Sequence, residues 1–193
     1  DEALRLALIE APNQAEGWKV TLSFDEKYMS RGGGSAGTAF CVAILSLLED
    51  FSIDTKVAMT GDITVDGNVR KVGGISSKIR GAARFGCKYV GIPSENSEDV
   101  GNLVVLGDTR ELLGIQVFSM EKIDQALDLA KENRSKDLAT AIDKFKALAA
   151  TMKGAKFNGN IRKEETKVAL KEILDLAPNH LSAKYILDYA NNK

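Results

Sequence analysis

The chain has 193 residues, 44% of them hydrophobic, which is enough for one well-packed domain of ordinary size and a small appendage. Its 26 basic and 27 acidic side chains nearly cancel, so charge does not favour binding to nucleic acid or to an anionic membrane. No apolar run approaches the roughly 18 residues of a bilayer-spanning helix, and no secretory signal is visible. A cytoplasmic protein is therefore expected, and the start at Asp1 rather than Met predicts a missing upstream segment.

The first two thirds of the chain alternate between predicted helices and strands, identified by their hydrophobic period and by the Gly and Pro residues that bound them. Helices are predicted over residues 3–10, 36–48, 75–85 and 122–130, the second of them apolar on nearly every side. Strands are predicted over residues 18–24, 56–60, 63–65, 69–72, 89–92, 103–106 and 115–118. An Asp66-Gly67 turn joins two of these strands into a hairpin. The pattern predicts a two-layer α/β or α+β domain.

The last third of the chain changes character, because it contains no strand pattern. Three amphipathic helices are predicted over residues 138–152, 164–177 and 181–190, with a flexible link over 153–160. Residues 169–183 resemble the joint between tetratricopeptide units, although one joint does not make an array. We therefore predict a main domain over 1–131 and a helical tail over 132–193, which either covers the core or docks a protein partner.

The cysteines and the histidine carry no metal-ligand spacing. Cys41 and Cys87 lie inside apolar runs, where a buried thiol is expected rather than a disulfide or a metal ligand. His180 follows Pro178 in the helical tail, where a solvated position or the N-terminus of a helix is expected. No cofactor and no metal site are predicted.

Ser35 lies in a glycine-rich segment, GGGSAGT (residues 32–38), whose chemistry has to be decided among alternatives. As a phosphate-binding loop, the segment lacks the lysine that would follow Gly37 and reach the β- and γ-phosphates. As a nucleophile elbow, it lacks a strand that runs directly into the turn, since the preceding strand is predicted to end at Phe24. A histidine base is also missing near it, so a Ser-His-Asp triad is disfavoured.

A lysine can replace histidine as the base if an apolar setting lowers its pKa from the usual value of about 10.4. Lys78 is a candidate, because it falls at the edge of the apolar stripe that Ile75, Ile79 and Ala82 form on the predicted helix. The alternative is that Lys78 lays its carbon chain along the core and keeps its ammonium group in water. Periodicity alone leaves both interpretations open.

Three blocks resemble the proteolytic domain of Lon proteases, and the likeness extends over residues 19–130. They are GSAGTA (34–39), VAMTGDITVDGNV (57–69) and VGGISSK (72–78), similar to the family's P-S-A-G core, its A-x-T-G-E-I-x-x-x-G-x-V hairpin and its V-G-G-[IL]-x-x-K segment. The interval between Ser35 and Lys78 agrees with the family's spacing. The resemblance implies an α+β, two-layer fold of the Lon proteolytic type (ribosomal protein S5 domain 2-like), with a C-terminal helical appendage.

The resemblance also implies an activity, that of an S16-type serine endopeptidase with a Ser-Lys dyad. It makes Ser35 the nucleophile and Lys78 the general base, with the Thr60 hydroxyl orienting the lysine amine. Gly34 supports the site, because the glycines before Ser35 permit close approach of a substrate backbone. Backbone N–H groups at the helix start, including that of Ser35, would stabilise the oxyanion.

The sequence departs from the family pattern at two places near the serine. Ser30-Arg31-Gly32-Gly33-Gly34 stands where the family commonly has P-K-D-G-P, so an acidic residue is missing, and Asp62 replaces the usual Glu. No Walker motif occurs in these residues, which predicts ATP-independent cleavage of unfolded proteins or short peptides.

Competing functions follow from the same residues. Small-molecule kinases of the galactokinase and homoserine kinase type carry a G-L-G-S-S-A loop that resembles residues 33–36, but they have no use for Lys78. A catalytically inactive Lon-like module that binds a partner through the tail is the other alternative, motivated by the missing acidic residue and the triple glycine. The family often forms hexameric rings, so a homo-oligomer is a possible state here.

Overall fold

The computed structural model describes residues 2–12, 19–21, 33–106 and 110–191, and it has an α+β fold. Three parallel strands form the main sheet in the order β1-β4-β5, where β1 is Val57–Met59, β4 is Tyr89–Pro93 and β5 is Gln116–Met120. A separate antiparallel hairpin pairs β2 (Asp62–Ile63) with β3 (Val69–Arg70). The hairpin predicted around Asp66-Gly67 is thus confirmed, with shorter strands.

Ten described helices complete the fold. Their bounds are α1 Glu2–Glu10, α2 Gly37–Leu48, α3 Ile75–Arg84, α4 Ser97–Leu106, α5 Glu111–Gly114, α6 Ile123–Ala130, α7 Lys136–Thr151, α8 Phe157–Asn160, α9 Glu164–Leu176 and α10 Leu181–Asn191. Single 3-10 turns precede α2, α4 and α8. Helix α2 packs against α1, α6 and β1, and a hydrogen bond from the Thr38 N–H to the Gly61 carbonyl oxygen places the start of α2 beside the carboxyl end of β1. None of the described helices combines the length and the apolar character needed to cross a bilayer.

The tail helices pack on the main sheet at the open edge of β5. Asn179 and Ser119 exchange hydrogen bonds: the Ser119 N–H donates to the Asn179 carbonyl oxygen at 2.9 Å, and the Asn179 side-chain amide donates to the Ser119 carbonyl oxygen at 3.0 Å. The Ser182 hydroxyl accepts from the Val117 N–H at 2.9 Å and donates to the Ile115 carbonyl oxygen at 3.1 Å. Residues 179–182 and β5, called the tail seam below, thereby cover an edge that would otherwise present unpaired backbone groups.

Three predictions about local structure are corrected. Residues 103–106 were predicted as a strand but belong to helix α4, in which Val100 and Leu103 bury the same helical face. The link predicted as flexible over 153–160 forms two helical turns and buries Phe157. Helix α2, whose apolar sequence predicts a helix buried in the centre of the domain, has one exposed side, because Leu47 is 65% exposed.

One predicted strand falls largely beyond the described residues. Of residues 18–24, only 19–21 are described, and these form no strand, while the rest lie outside the described part of the chain. The remaining predicted helices and strands appear within a few residues of the expected positions.

Candidate active site

Ser35 occupies the 3-10 turn Gly34–Ala36 immediately before helix α2, and its residue is half-buried. Two groups that follow β1 hold its carbonyl oxygen: the Thr60 hydroxyl donates to it at 2.9 Å and the Gly61 N–H at 3.0 Å. Thr38, in the first turn of α2, also binds this segment: its N–H and its hydroxyl both donate to the Gly61 carbonyl oxygen at 3.0 Å. These bonds fix the backbone of the serine turn against the carboxyl end of the sheet.

Lys78 lies in the first turns of helix α3 and is half-buried. Its Nζ donates a hydrogen bond to the Thr60 Oγ1 at 3.0 Å. Burial lowers the pKa of the Lys78 ammonium group, since desolvation penalises the charged form. Among the described residues no carboxylate forms an ion pair with Lys78, so no negative charge there offsets that penalty.

The Thr60 hydroxyl joins the two candidate residues. It accepts from Lys78 and donates to the Ser35 carbonyl oxygen, so it acts as acceptor and donor at once. Within the described contacts no direct hydrogen bond links the Ser35 hydroxyl to the Lys78 amine. In hydrolases without substrate such bonds are often long and shorten only in the complex, so this arrangement is compatible with a serine–lysine pair.

Gly34 lies so close to the Asp62 side chain that a larger residue would not fit there without a shift of its surroundings. A Cβ atom built on Gly34 would lie 2.2 Å from Oδ1 and 2.4 Å from Cγ of Asp62. The Asp62 carboxylate therefore packs directly on the serine turn, while its Oδ1 also accepts from the Ile63 N–H at 3.0 Å. A side chain at position 34 would displace either Asp62 or the turn that carries Ser35.

An open pocket of about 380 Å³ adjoins Lys78 and Thr60. Its remaining lining is apolar or weakly polar and comes from Ala58, Met59, Ala82, Phe85, Cys87 and Val90. Phe85 at the end of α3 is 92% exposed, so an aromatic ring stands free at the pocket rim. The lining provides the low-polarity surroundings that desolvate the lysine amine and space for an apolar group beside it.

The two thiols differ in burial, which corrects part of the prediction for them. Cys41 is fully buried in α2, where burial and, secondarily, the charge of Glu10 raise its pKa to about 12. Cys87 is only half-buried and lines the pocket beside Lys78. Both are free cysteines, as expected.

His180 precedes helix α10, as one of the two expectations had it, but it is fully buried rather than solvated. Its Nδ1 accepts from the Ala183 N–H at 3.2 Å, and its Nε2 lies 2.9 Å from the Gln116 Oε1. The ring also packs between Phe118 and Phe145, with centroid distances of 4.5 and 4.6 Å. All these partners belong to the tail and to β5, so His180 serves the tail seam and not the serine turn.

Three residues of the site belong to the sequence motifs, but the motifs did not predict their contacts. Thr38 and Gly61 clasp the serine turn, and Asp62 packs on Gly34. A Cβ at Gly61 would lie 2.6 Å from Val69 Cγ1 and 2.7 Å from Thr38 Oγ1. The adjacent Thr-Gly-Asp in the second motif was the available signal, but its partners only become visible in three dimensions. No group of three or more His, Cys, Asp or Glu side chains in the described parts is placed to hold a metal ion.

A family profile and the individual relatives that match this chain all point to the same protein family. A profile of the Lon protease (S16) C-terminal proteolytic domain matches residues 8–132. Lon protease 1 from Hydrogenovibrio crunogenus is 38% identical over 114 residues, which cover 59% of this chain and 14% of that protein. The Lon protease of Buchnera aphidicola subsp. Schizaphis graminum is 31% identical over 142 residues, 68% of this chain and 18% of the relative. The archaeal Lon protease of Pyrococcus abyssi is 34% identical over 127 residues, which cover 65% of this chain and 12% of that protein. The chain spans less than a fifth of the length of these relatives.

Proposed function

The chain belongs to the Lon protease (S16) family through its C-terminal proteolytic domain, and from that premise we propose that it is a serine endopeptidase in which Lys78 activates Ser35. The observation that carries most weight is the hydrogen bond from Lys78 Nζ to Thr60 Oγ1 at 3.0 Å. It holds a partly desolvated amine beside the turn that carries the serine. A lysine held by a hydroxyl rather than by a carboxylate has no negative charge beside it to stabilise the ammonium form, so it loses its proton more readily than an exposed lysine.

In the proposed reaction the neutral Lys78 amine takes the Ser35 hydroxyl proton while the serine oxygen attacks the peptide carbonyl carbon. The tetrahedral intermediate collapses when the Lys78 ammonium group gives its proton to the departing amine, which leaves an acyl-enzyme. Lys78 then removes a proton from water, the hydroxide attacks the ester, and Ser35 regains its hydrogen. Every proton passes through the same nitrogen, so its position relative to Ser35 controls both halves of the reaction.

Backbone groups supply the stabilisation of the developing negative charge. The Ser35 N–H belongs to the 3-10 turn before α2, where the helix dipole favours an anion. Gly34 keeps this turn free of side-chain bulk on the Asp62 side. The proposal therefore assigns Ser35 and Lys78 to catalysis, Thr60 to positioning the amine, and Gly34 to the shape of the turn.

The finer parts of the proposal concern substrate, energy source and assembly. We expect ATP-independent cleavage of unfolded proteins or peptides, because neither proton transfer nor acyl transfer needs a nucleotide. A homo-oligomer is part of the proposal, as is a protein partner at the tail, whereas nucleic acid and membranes are not expected partners. The cytoplasmic location stays a prediction that cell fractionation would test.

The direct test is hydrolysis of unfolded casein without ATP by the wild type, Ser35→Ala and Lys78→Ala at neutral to alkaline pH. We expect cleavage by the wild type and a loss of at least about a thousandfold in both variants, as for other nucleophile and base removals. Ser77→Ala and Lys71→Ala are matched controls, because both residues are exposed and close in sequence to Lys78. Neither control should change the rate by more than about twofold.

The alternative function, an inactive Lon-like binding module, predicts a different result. In that case the wild type would be as inert as Ser35→Ala, with and without ATP, although all variants remain folded. Activity that survives Lys78→Ala would instead contradict the assigned base while leaving the serine chemistry in place.

A further inference from the structure

A second cavity lies away from the serine turn, between the sheet and helix α7. It has a volume of about 350 Å³ and is open on one side. Lys88 and Tyr89 at the start of β4, Gln116 at the start of β5, and the second half of α7 form its walls. We call it the lysine cleft, for the three lysines on its rim: Lys88, Lys146 and Lys153.

The floor of the lysine cleft is apolar. Phe145 and Ala149 of α7 form it together with Leu113 of α5, and the first two are buried. The one amide in the floor, that of Gln116, is buried and already hydrogen-bonded, because its Nε2 donates to the Ile142 carbonyl oxygen at 3.3 Å and its Oε1 contacts His180. Apolar contact is therefore the main interaction that this floor offers to a ligand group.

The rim has the opposite character. All three rim lysines are exposed, and the lining contains no Asp or Glu side chain. In the described parts of the chain none of the three forms an ion pair, whereas Lys144, two residues before Lys146 on the same helix, is 2.6 Å from Glu172. The rim lysines thus have no ion-pair partner in the described parts of the chain, although Asp54 and Asp143, outside the lining, act on the Tyr89 hydroxyl.

The cleft lies at the edge of the sheet opposite to the candidate site. Tyr89 and Gln116 begin parallel strands, while Thr60 follows the carboxyl end of β1. Strand β4 has five residues, so about 15 Å separate the two edges. A segment bound in the lysine cleft is therefore not the peptide bond presented to Ser35.

We propose that the lysine cleft binds an acidic peptide segment with one aromatic or large aliphatic side chain, supplied by another protein. The apolar side chain contacts Tyr89, Leu113 and Ala150, the accessible members of the lining, and flanking carboxylates contact the rim lysines. Complementary charge at the rim gives orientation and rapid association, while burial of the apolar group adds specificity. This inference does not depend on the Ser35 chemistry, since it concerns only the lysine cleft between α7 and the sheet.

The test is fluorescence anisotropy with the full chain and a labelled heptapeptide, Asp-Glu-Asp-Phe-Asp-Glu-Asp. The charge-reversed pair Lys146→Glu/Lys153→Glu should weaken binding at least about tenfold, because attraction becomes repulsion on two sides of the cleft. The matched control is Lys136→Glu/Lys171→Glu, an equal change of charge at exposed lysines outside the cleft. It should weaken binding by less than about threefold, through net charge alone.

Two further measurements separate the cleft from general charge attraction. Replacing Phe by Ser in the peptide should weaken binding about tenfold or more, since the apolar contact is lost without changing the protein. Ala150→Trp, at an exposed position of the lining, should block the cleft without altering charge. Equal weakening by the rim and control pairs, equal binding of the Ser peptide, or no binding at millimolar peptide would each overturn the proposal.

Discussion

The candidate active site and the tail seam are both held by hydrogen-bonded polar side chains, but they differ in exposure to water. Ser35 and Lys78 are half-buried, and an open pocket adjoins Lys78. His180 and Ser182 in the tail seam are fully buried, and every hydrogen-bonding side-chain atom described as buried there has a partner. In the proposed function the site keeps the Lys78 amine within reach of substrate, whereas the seam satisfies its polar groups inside the core.

The comparison shows that the degree of burial differs between a region proposed to act on substrate and a region that stabilises the fold. Partial desolvation is enough to lower the pKa of Lys78, and complete burial would close the site to substrate. Complete burial at the seam makes each bond costly to lose, because an unpaired buried group carries its full desolvation penalty. Changes at the seam should therefore act on folding, and changes at the site on turnover.

The largest effect should come from removing the tail. A chain ending at Lys131 loses α7 to α10, exposes Phe118 and leaves the N–H groups of Val117 and Ser119 without partners. Uncovering several core side chains at about 1.5–3 kcal/mol each exceeds the 5–15 kcal/mol that stabilises a typical domain. We expect aggregation, or no cooperative thermal transition by circular dichroism.

A shorter deletion serves as the control for that experiment. A chain ending at Asn191 keeps all described helices and should unfold like the full chain. If the chain ending at Lys131 is instead a folded monomer with an unchanged midpoint, the predicted division at residue 131 marks two independent units, and the seam contributes little.

Substitution within the seam should have the next largest effect. His180→Ala removes a ring packed between Phe118 and Phe145, leaves Gln116 Oε1 without its partner and uncaps the Ala183 N–H. The cavity and the lost bonds together cost about 3–5 kcal/mol of the free energy of unfolding, measured by urea denaturation. Lys184→Ala, at an exposed neighbouring position, should stay within about 0.5 kcal/mol. Equal stability of both variants would contradict the seam as a stabilising element.

A change at the site should reverse this pattern. Thr60→Val keeps the shape of the side chain but removes its bonds to Lys78 and Ser35. A hydrogen bond to a charged group is worth about 1.5–3 kcal/mol, so kcat on a fluorogenic peptide should fall about ten- to a hundredfold. Thr60→Ser retains the hydroxyl and should restore most of the rate. Wild-type kcat in Thr60→Val would show that the hydroxyl does not position the amine.

Local pattern accounts for much of the fold. The hairpin at Asp66-Gly67, the amphipathic helix that carries Lys78 and the tail helices follow from turn chemistry and periodicity. The apolar run at residues 103–106 did not distinguish a strand from a helix, because a short run fits both periods. Its helical form depends on the face shared by Val100 and Leu103 in the folded chain.

The contacts of the site and the seam were harder to predict, since they join residues far apart in sequence. The motifs singled out Ser35, Lys78 and Thr60, but not the packing of Asp62 on Gly34. His180 was interpreted from its neighbours in the tail, whereas its burial depends on Gln116 and Phe118, more than sixty residues away. Such burial is a property of tertiary packing and has no local signal.

The smallest effect should be an acid sensitivity that belongs to the seam alone. Burial lowers the pKa of His180 to about 3 from its ordinary value of 6.5, so between these values the unfolded chain binds a proton that the folded chain does not. Stability is complete above 6.5 and falls with pH by up to about 1.4 kcal/mol per unit. The lowered pKa values of Glu95, Asp54 and Asp66 remove stability chiefly below their ordinary values of 4.5, 3.8 and 3.8, so the measurement is confined to the range from pH 6.5 to 4.5. Urea denaturation of His180→Asn between pH 6.5 and 4.5 should show a flat profile, and a wild-type slope in that variant would assign the sensitivity elsewhere.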